Sequence, residues 1–122
     1  VEDTKAQLEE EEKELEDMLL WYAALPESEE WLRLGVPEQS LLDGDGRLRR
    51  VDLLVESGDG ISVVEYKSGS DGTLPVPAHE RQLKSYMDAL AADADKPVRG
   101  ALIYLDRKRI FRFDSLSERV RG

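Results

Sequence analysis

The sequence predicts an α/β domain with a mixed sheet, preceded by an acidic helical arm. Three observations carry that reading. Residues 36–67 hold three compact apolar runs separated by the turn sequences Asp43-Gly44-Asp45-Gly46 and Ser57-Gly58-Asp59-Gly60, the pattern of a meander of antiparallel strands. Leu83, Tyr86, Met87 and Leu90 then recur at helical spacing within residues 79–92. Two more strand-like runs, 98–105 and 109–113, follow on either side of the turn Asp106-Arg107-Lys108. A helix, three strands, a helix and two strands make an α/β class domain.

Residues 1–17 are rich in Glu and Asp and favour helix, but Leu8 and Leu15 alone give a thin apolar face. This segment should be a solvated helix, anchored from Leu15 onward where Met18, Leu19 and Tyr22 widen the face. Pro26 ends it, and 26–35 reads as a short second helix closed by Gly35, with Trp31 and Leu34 turned to the sheet. Residues 1–25 are therefore set apart as an arm and 26–122 as the folded domain. Trp21 and Trp31 read as core. Strands are expected over 36–42, 47–56 and 61–67. The Gly-, Ser- and Pro-rich stretch 68–78 reads as a loop long enough to be mobile or to cover a site, and the residues after 113 as a frayed tail.

The net charge of -10 argues against a nucleic-acid partner until its distribution is considered. Of the 27 acids and 17 bases, 12 acids and 2 bases fall in residues 1–30, which leaves 15 of each in the other 92 residues. The acidity belongs to the arm, and the domain is electrically balanced. Cysteine is absent, which excludes disulfides, cysteine zinc sites, iron–sulfur clusters and cysteine nucleophiles. No run is long or apolar enough to span a bilayer, and the acidic start is the opposite of a signal peptide, so a cytoplasmic chain with no membrane partner is expected. Val1 in place of Met suggests a domain taken from a longer polypeptide.

Two of the strand-like runs place an acid among aliphatic neighbours. Asp52 sits in Val51-Asp52-Leu53-Leu54-Val55, and Glu65 in Ile61-Ser62-Val63-Val64-Glu65-Tyr66-Lys67-Ser68-Gly69. A carboxylate buried among aliphatic neighbours is costly unless it is paired or binds a metal. On neighbouring antiparallel strands the two carboxylates would lie within reach of one ion, and their mutual repulsion calls for a divalent cation or a shared proton. Hard oxygen ligands favour magnesium or manganese, with the Tyr66 carbonyl as a further ligand. Lys67, two residues from Glu65, shares its face and is placed to orient a water or to stabilise charge on a phosphate.

Asp52 followed by Glu65-x-Lys67 on the next strand resembles the PD-(D/E)XK nuclease superfamily, whose restriction-endonuclease-like αβββαβ core has the same element order. Gln82-Leu83-Lys84-Ser85-Tyr86, downstream of Glu65-Tyr66-Lys67-Ser68-Gly69, resembles the Gln-x-x-x-Tyr motif of RecB-like nucleases, as found at the C-terminus of AddAB- and RecBCD-type helicase–nucleases. Gly100-Ala101-Leu102-Ile103-Tyr104-Leu105 fits the following strand, so the likeness covers roughly residues 36–113. The resemblance implies Mg2+- or Mn2+-dependent cleavage of DNA, as an exonuclease in DNA repair or recombination beside a helicase domain or subunit. It implies Asp52 and Glu65 as metal ligands, Lys67 as the residue serving the nucleophilic water, and Gln82 with Tyr86 in contact with DNA or bracing the site. Glu38 matches a position, near the start of the first strand, where these nucleases often carry an acid. The chain departs from the pattern in lacking a first-helix histidine and the usual glycine near the metal aspartate; Arg49-Arg50 precede Val51-Asp52 instead.

Plainer readings stand beside these. Asp52 and Lys67 can form a cross-strand ion pair with Glu65 facing solvent on an edge strand. Gln82 and Tyr86 can be ordinary residues of an amphipathic helix. His79 reads as solvated at a helix start, with a DNA contact as the alternative. Arg47, Arg49, Arg50, Lys84, Arg107, Lys108, Arg109 and Arg112 form a phosphate-binding rim only if they cluster in space. The catalytic assignment also has a rival, a DNA-binding or scaffolding module that keeps the nuclease fold.

Overall fold

The computed structural model describes residues 2–43, 45–68 and 72–115. Helix α1 (Glu2–Ala23) and the short α2 (Ser28–Leu34) lead into strands β1 (Gly35–Leu42), β2 (Leu48–Ser57) and β3 (Gly60–Lys67). Helix α3 (Pro77–Asp93) precedes β4 (Val98–Tyr104), a 3-10 turn over Leu105–Arg107, and β5 (Arg109–Asp114). The five strands form one sheet in chain order. Short turns hold β1, β2 and β3 antiparallel, and β5 returns antiparallel to β4. Only the β3-to-β4 connection carries a helix, and those two strands are parallel, as a crossover requires.

Each face of the sheet has its own core, and the period of two sorts residues between them. On one face Val51, Val63, Leu102 and Tyr104 pack against Leu83, Tyr86 and Met87 of α3. On the other, Val55, Val64, Ala101 and Ile103 meet Trp31 of α2, with Trp21 and Tyr22 of α1 at the margin. Burying Leu83 or Met87 contributes about 1.5–3 kcal/mol. Helix α3 comes close to β4 because Gly100 has no side chain; a Cβ there would lie 2.5 Å from Met87 Sδ and 3.0 Å from Leu83 Cδ2.

Several expectations are corrected. Helix α1 is anchored later than Leu15: Leu15 and Leu19 are exposed, and of the expected face Tyr22, with Trp21 beside it, makes the contact. The Tyr22 and Tyr66 hydroxyls lie 2.8 Å apart, which fixes the end of α1 to β3. The stretch 68–78 is not wholly a loop, because α3 starts at Pro77, whose fixed φ and missing N–H suit the first helical turn. Leu74 and Val76 pack on the α3-side core, and the Val76 N–H donates to Tyr104 Oη at 3.1 Å. Asp114 belongs to β5 and Ser115 is buried, so the expected tail begins no earlier than 116; the rest of it lies outside the described residues, as do 69–71 and Gly44.

Candidate active site

Strands β2 and β3 are paired from Ser57↔Gly60 to Leu53↔Val64. The next pair in that register is Asp52 with Glu65, and there the seam changes character. The Asp52 N–H donates to Glu65 Oε2 at 2.6 Å, and the Tyr66 N–H donates to Asp52 Oδ2 at 2.8 Å. Each carboxylate thus takes a backbone proton from the opposite strand. The facing pattern of β2 slips at the same point: Val51 and Leu54 join the α3-side core, while Leu53 and Val55 join the other. Opposite Asp52 in the β1 register, between Pro37↔Leu53 and Gln39↔Val51, Glu38 holds a left-handed φ of 52° that a side chain disfavours.

Glu65 is only 3% exposed, whereas Asp52 is exposed. Burial pushes the Glu65 carboxyl above its ordinary range, opposed by the hydrogen bond from the Asp52 amide, and the neighbouring Asp52 charge adds to the rise. Lys67, on the same face, donates from Nζ to Gln82 Oε1 at 2.8 Å. That bond holds the ammonium between β3 and α3 without neutralising it. Tyr86 lies one helical turn beyond Gln82 and is buried; desolvation raises its phenol pKa, with the Glu65 charge next in weight. The structure therefore brings Asp52, Glu65, Lys67, Gln82 and Tyr86 to one place.

Other expected residues fall elsewhere. Glu38 is exposed, and among the described residues no group of three His, Asp or Glu side chains is placed to hold an ion. The plain ion-pair reading fails on two counts, since β3 is the central strand with Glu65 buried, and Lys67 bonds to Gln82. The basic rim is dispersed. Arg49 pairs with Asp43 through Nε at 3.0 Å, Lys84 pairs with Glu80, and Arg112 pairs with Glu27. Arg49 stands beside the site, in a groove lined also by Arg81, Gln82, Ser85 and Tyr86.

Two residues near the site make a contact that sequence reasoning did not foresee. His79 is half-buried and not solvated: its Nδ1 lies 2.9 Å from Tyr104 Oη and its ring stacks on the tyrosine. Tyr104 is the parallel-register partner of Lys67, so Lys67–Gln82 and Tyr104–His79 are two side-by-side links from sheet to helix. The three-residue spacing of His79 and Gln82 was a visible signal; the β3–β4 register that gives it meaning was not.

The sequence matches the family model of the PD-(D/E)XK nuclease superfamily over residues 2–119. No curated protein matches the chain at a significant level. Among solved structures, one titled "Crystal structure of SSO0001" is 22% identical, with 66% of this chain and 42% of that chain covered and a TM-score of 0.45. The chain spans less than half the length of that structure. The family match takes in the Asp52 strand, the Glu65-x-Lys67 strand and the Gln82–Tyr86 helix alike, and the chain belongs to the PD-(D/E)XK nuclease superfamily.

Proposed function

We propose that this chain is a deoxyribonuclease domain that hydrolyses DNA phosphodiester bonds with Mg2+ or Mn2+. The observation that carries the reading is the β2–β3 seam, where two adjacent carboxylates, one of them buried, replace the ladder beside a lysine held by Gln82. The donor set suits a hard cation: Asp52 and Glu65 supply carboxylate oxygens, the Tyr66 carbonyl is a further ligand, and magnesium is commonly held by one or two carboxylates with waters completing its shell. A bound cation supplies charge neutralisation for the phosphate and makes a water more acidic.

The chain's own residues do the rest. Lys67 holds its ammonium next to Glu65, where it orients the attacking water or stabilises the charge that develops on the phosphate. Gln82 fixes Lys67 through Oε1 and keeps its amide N–H groups for the substrate. Tyr86 packs beneath and braces α3 against the sheet. The Glu65-Tyr66-Lys67-Ser68-Gly69 and Gln82-x-x-x-Tyr86 pair supports a RecB-like exonuclease within a repair or recombination protein, working with a helicase domain or subunit, and the exposed Leu8, Leu15, Leu19 and Leu20 of α1 support a division into an acidic arm over 1–25 and a nuclease domain over 26–122.

The test is cleavage of linear DNA with Mg2+ supplied. Lys67→Ala and Asp52→Ala should each lose about a hundredfold or more in rate while keeping a native circular-dichroism spectrum. Full cleavage by either variant would overturn the assignment. One observation favours a second reading, a DNA-binding module with a reduced site: the described residues offer two acidic ligands and no third. Calorimetric titration with Mn2+ separates the two. Binding that disappears in Asp52→Ala supports the enzyme, and no binding by the intact chain supports the reduced module.

A further inference from the structure

The only histidine of the chain is built into the site by a bond to Tyr104 whose direction follows from what surrounds the hydroxyl. Tyr104 is fully buried, and among the described residues its hydroxyl has two partners, the Val76 N–H at 3.1 Å and His79 Nδ1 at 2.9 Å. The Val76 amide can only donate. The buried hydroxyl proton therefore needs His79 Nδ1 as its acceptor, since leaving it unbonded carries the desolvation penalty of an orphaned donor. Nδ1 is consequently bare and the imidazole proton sits on Nε2. Protonating Nδ1 would aim two donors at Tyr104 Oη and strand the tyrosine's own proton. Burial and the Lys67 charge act in the same direction and hold the imidazole below its ordinary pKa.

The ring's position is as well determined as its tautomer. It stacks on Tyr104, which neighbours Lys67 across the β3–β4 register, and it lies on α3 one turn before Gln82, the residue that holds Lys67. We propose that His79 is a substrate-binding residue of this site, donating from Nε2–H to a non-bridging oxygen of a backbone phosphate beside the one that Lys67 faces. The proposal rests on the nuclease reading for its ligand, a nucleic-acid phosphate, but not for the tautomer. A neutral donor suits this place because it adds a directional hydrogen bond without a second positive charge against Lys67.

Because there is one histidine, its ring nitrogens are directly readable by long-range 1H–15N NMR of the uniformly labelled protein. The expected spectrum is that of the Nε2–H tautomer near neutral pH, titrating below 6.5 as the bond to Tyr104 resists protonation. Adding a short phosphorothioate oligodeoxynucleotide should move the Nε2–H resonance. His79→Gln keeps an acceptor for Tyr104 and should weaken oligonucleotide binding about tenfold. Its log–log salt slope should equal that of the unchanged protein, since a neutral donor releases no counterion, whereas Lys67→Met should lower the slope by about 1.

An Nδ1–H tautomer overturns the proposal. So does an unmoved Nε2 while the amides around Lys67 and Gln82 shift, an unchanged affinity for His79→Gln, or a slope that falls with it. No shift at any residue on adding the oligonucleotide overturns the nuclease reading and the phosphate contact together, which separates the two failures.

Discussion

From Ser57↔Gly60 to Leu53↔Val64 the seam between β2 and β3 is closed by backbone hydrogen bonds, whereas at Asp52 and Glu65 the same strands are joined through carboxylates. The need met at both ends is the same, because a backbone amide turned away from water must find an acceptor. At the closed end a carbonyl meets it. At the open end an acid meets it, so satisfying the main chain also gathers negative charge in one place. The closed end needs only apolar side chains to be stable. The open end places a buried carboxylate in the centre of the sheet, eased by the Lys67 charge, and that is a cost to the fold which a bound cation would relieve.

This contrast can be broken in order of size. Leu83→Ala, beneath the site on α3, should cost about 2–5 kcal/mol in urea denaturation, because the cavity lies in the core shared by sheet and helix. A loss under about 1 kcal/mol would mean that α3 is not held as described. Asp52→Ala should cost less, about 0.5–1.5 kcal/mol, by removing the solvent-exposed acceptor of the Tyr66 N–H. Its amide-exchange signature should be local, with Tyr66 accelerated and Val63 and Val64 unchanged; uniform acceleration would show that the seam is not divided as described. Tyr22→Phe should cost about 1 kcal/mol by removing one hydrogen bond to Tyr66 on the opposite face, and should leave metal binding unaltered.

The smallest effect has the opposite sign. Glu65 is held above the ordinary carboxylate range by burial, so the native state keeps its proton at pH values where the unfolded chain has lost it. That contribution is complete below the ordinary glutamate pKa and is lost as pH rises through the raised native value. Above it the ionised group is a burden. Glu65→Gln, which still offers an oxygen to the Asp52 N–H, should therefore melt higher than the unchanged protein at neutral pH, with the gain vanishing toward acid. Mn2+ should raise the melting temperature of the unchanged chain and not of Glu65→Gln. A neutral-pH melting temperature for Glu65→Gln below that of the unchanged protein would refute this account of the open end.

Legibility in the sequence follows the range of the interaction. Asp52, Glu65 and Lys67 could be placed from short-range rules, since turn sequences set the meander and a spacing of two puts Glu65 and Lys67 on one face. Gln82 and Tyr86 followed from a spacing of four on a helix. The arm was legible only in part, because of the face expected from Leu15 onward Leu15 and Leu19 stay exposed while Tyr22, with Trp21, makes the contact. His79 looked solvated for a related reason, as nothing near it in the chain reveals a tyrosine 25 residues away.

By itself, then, the sequence determined the order of elements, the acids on β2 and β3 and the face of α3 that meets them, because each depends on periodicity and local turn chemistry. Only the tertiary structure decided how those groups are held. The reciprocal bonds of Asp52 and Glu65 depend on where the ladder stops, and the Lys67–Gln82 and Tyr104–His79 links depend on the β3–β4 register. Ladder end and register are set by how helix and sheet pack, and packing joins residues that no local pattern connects.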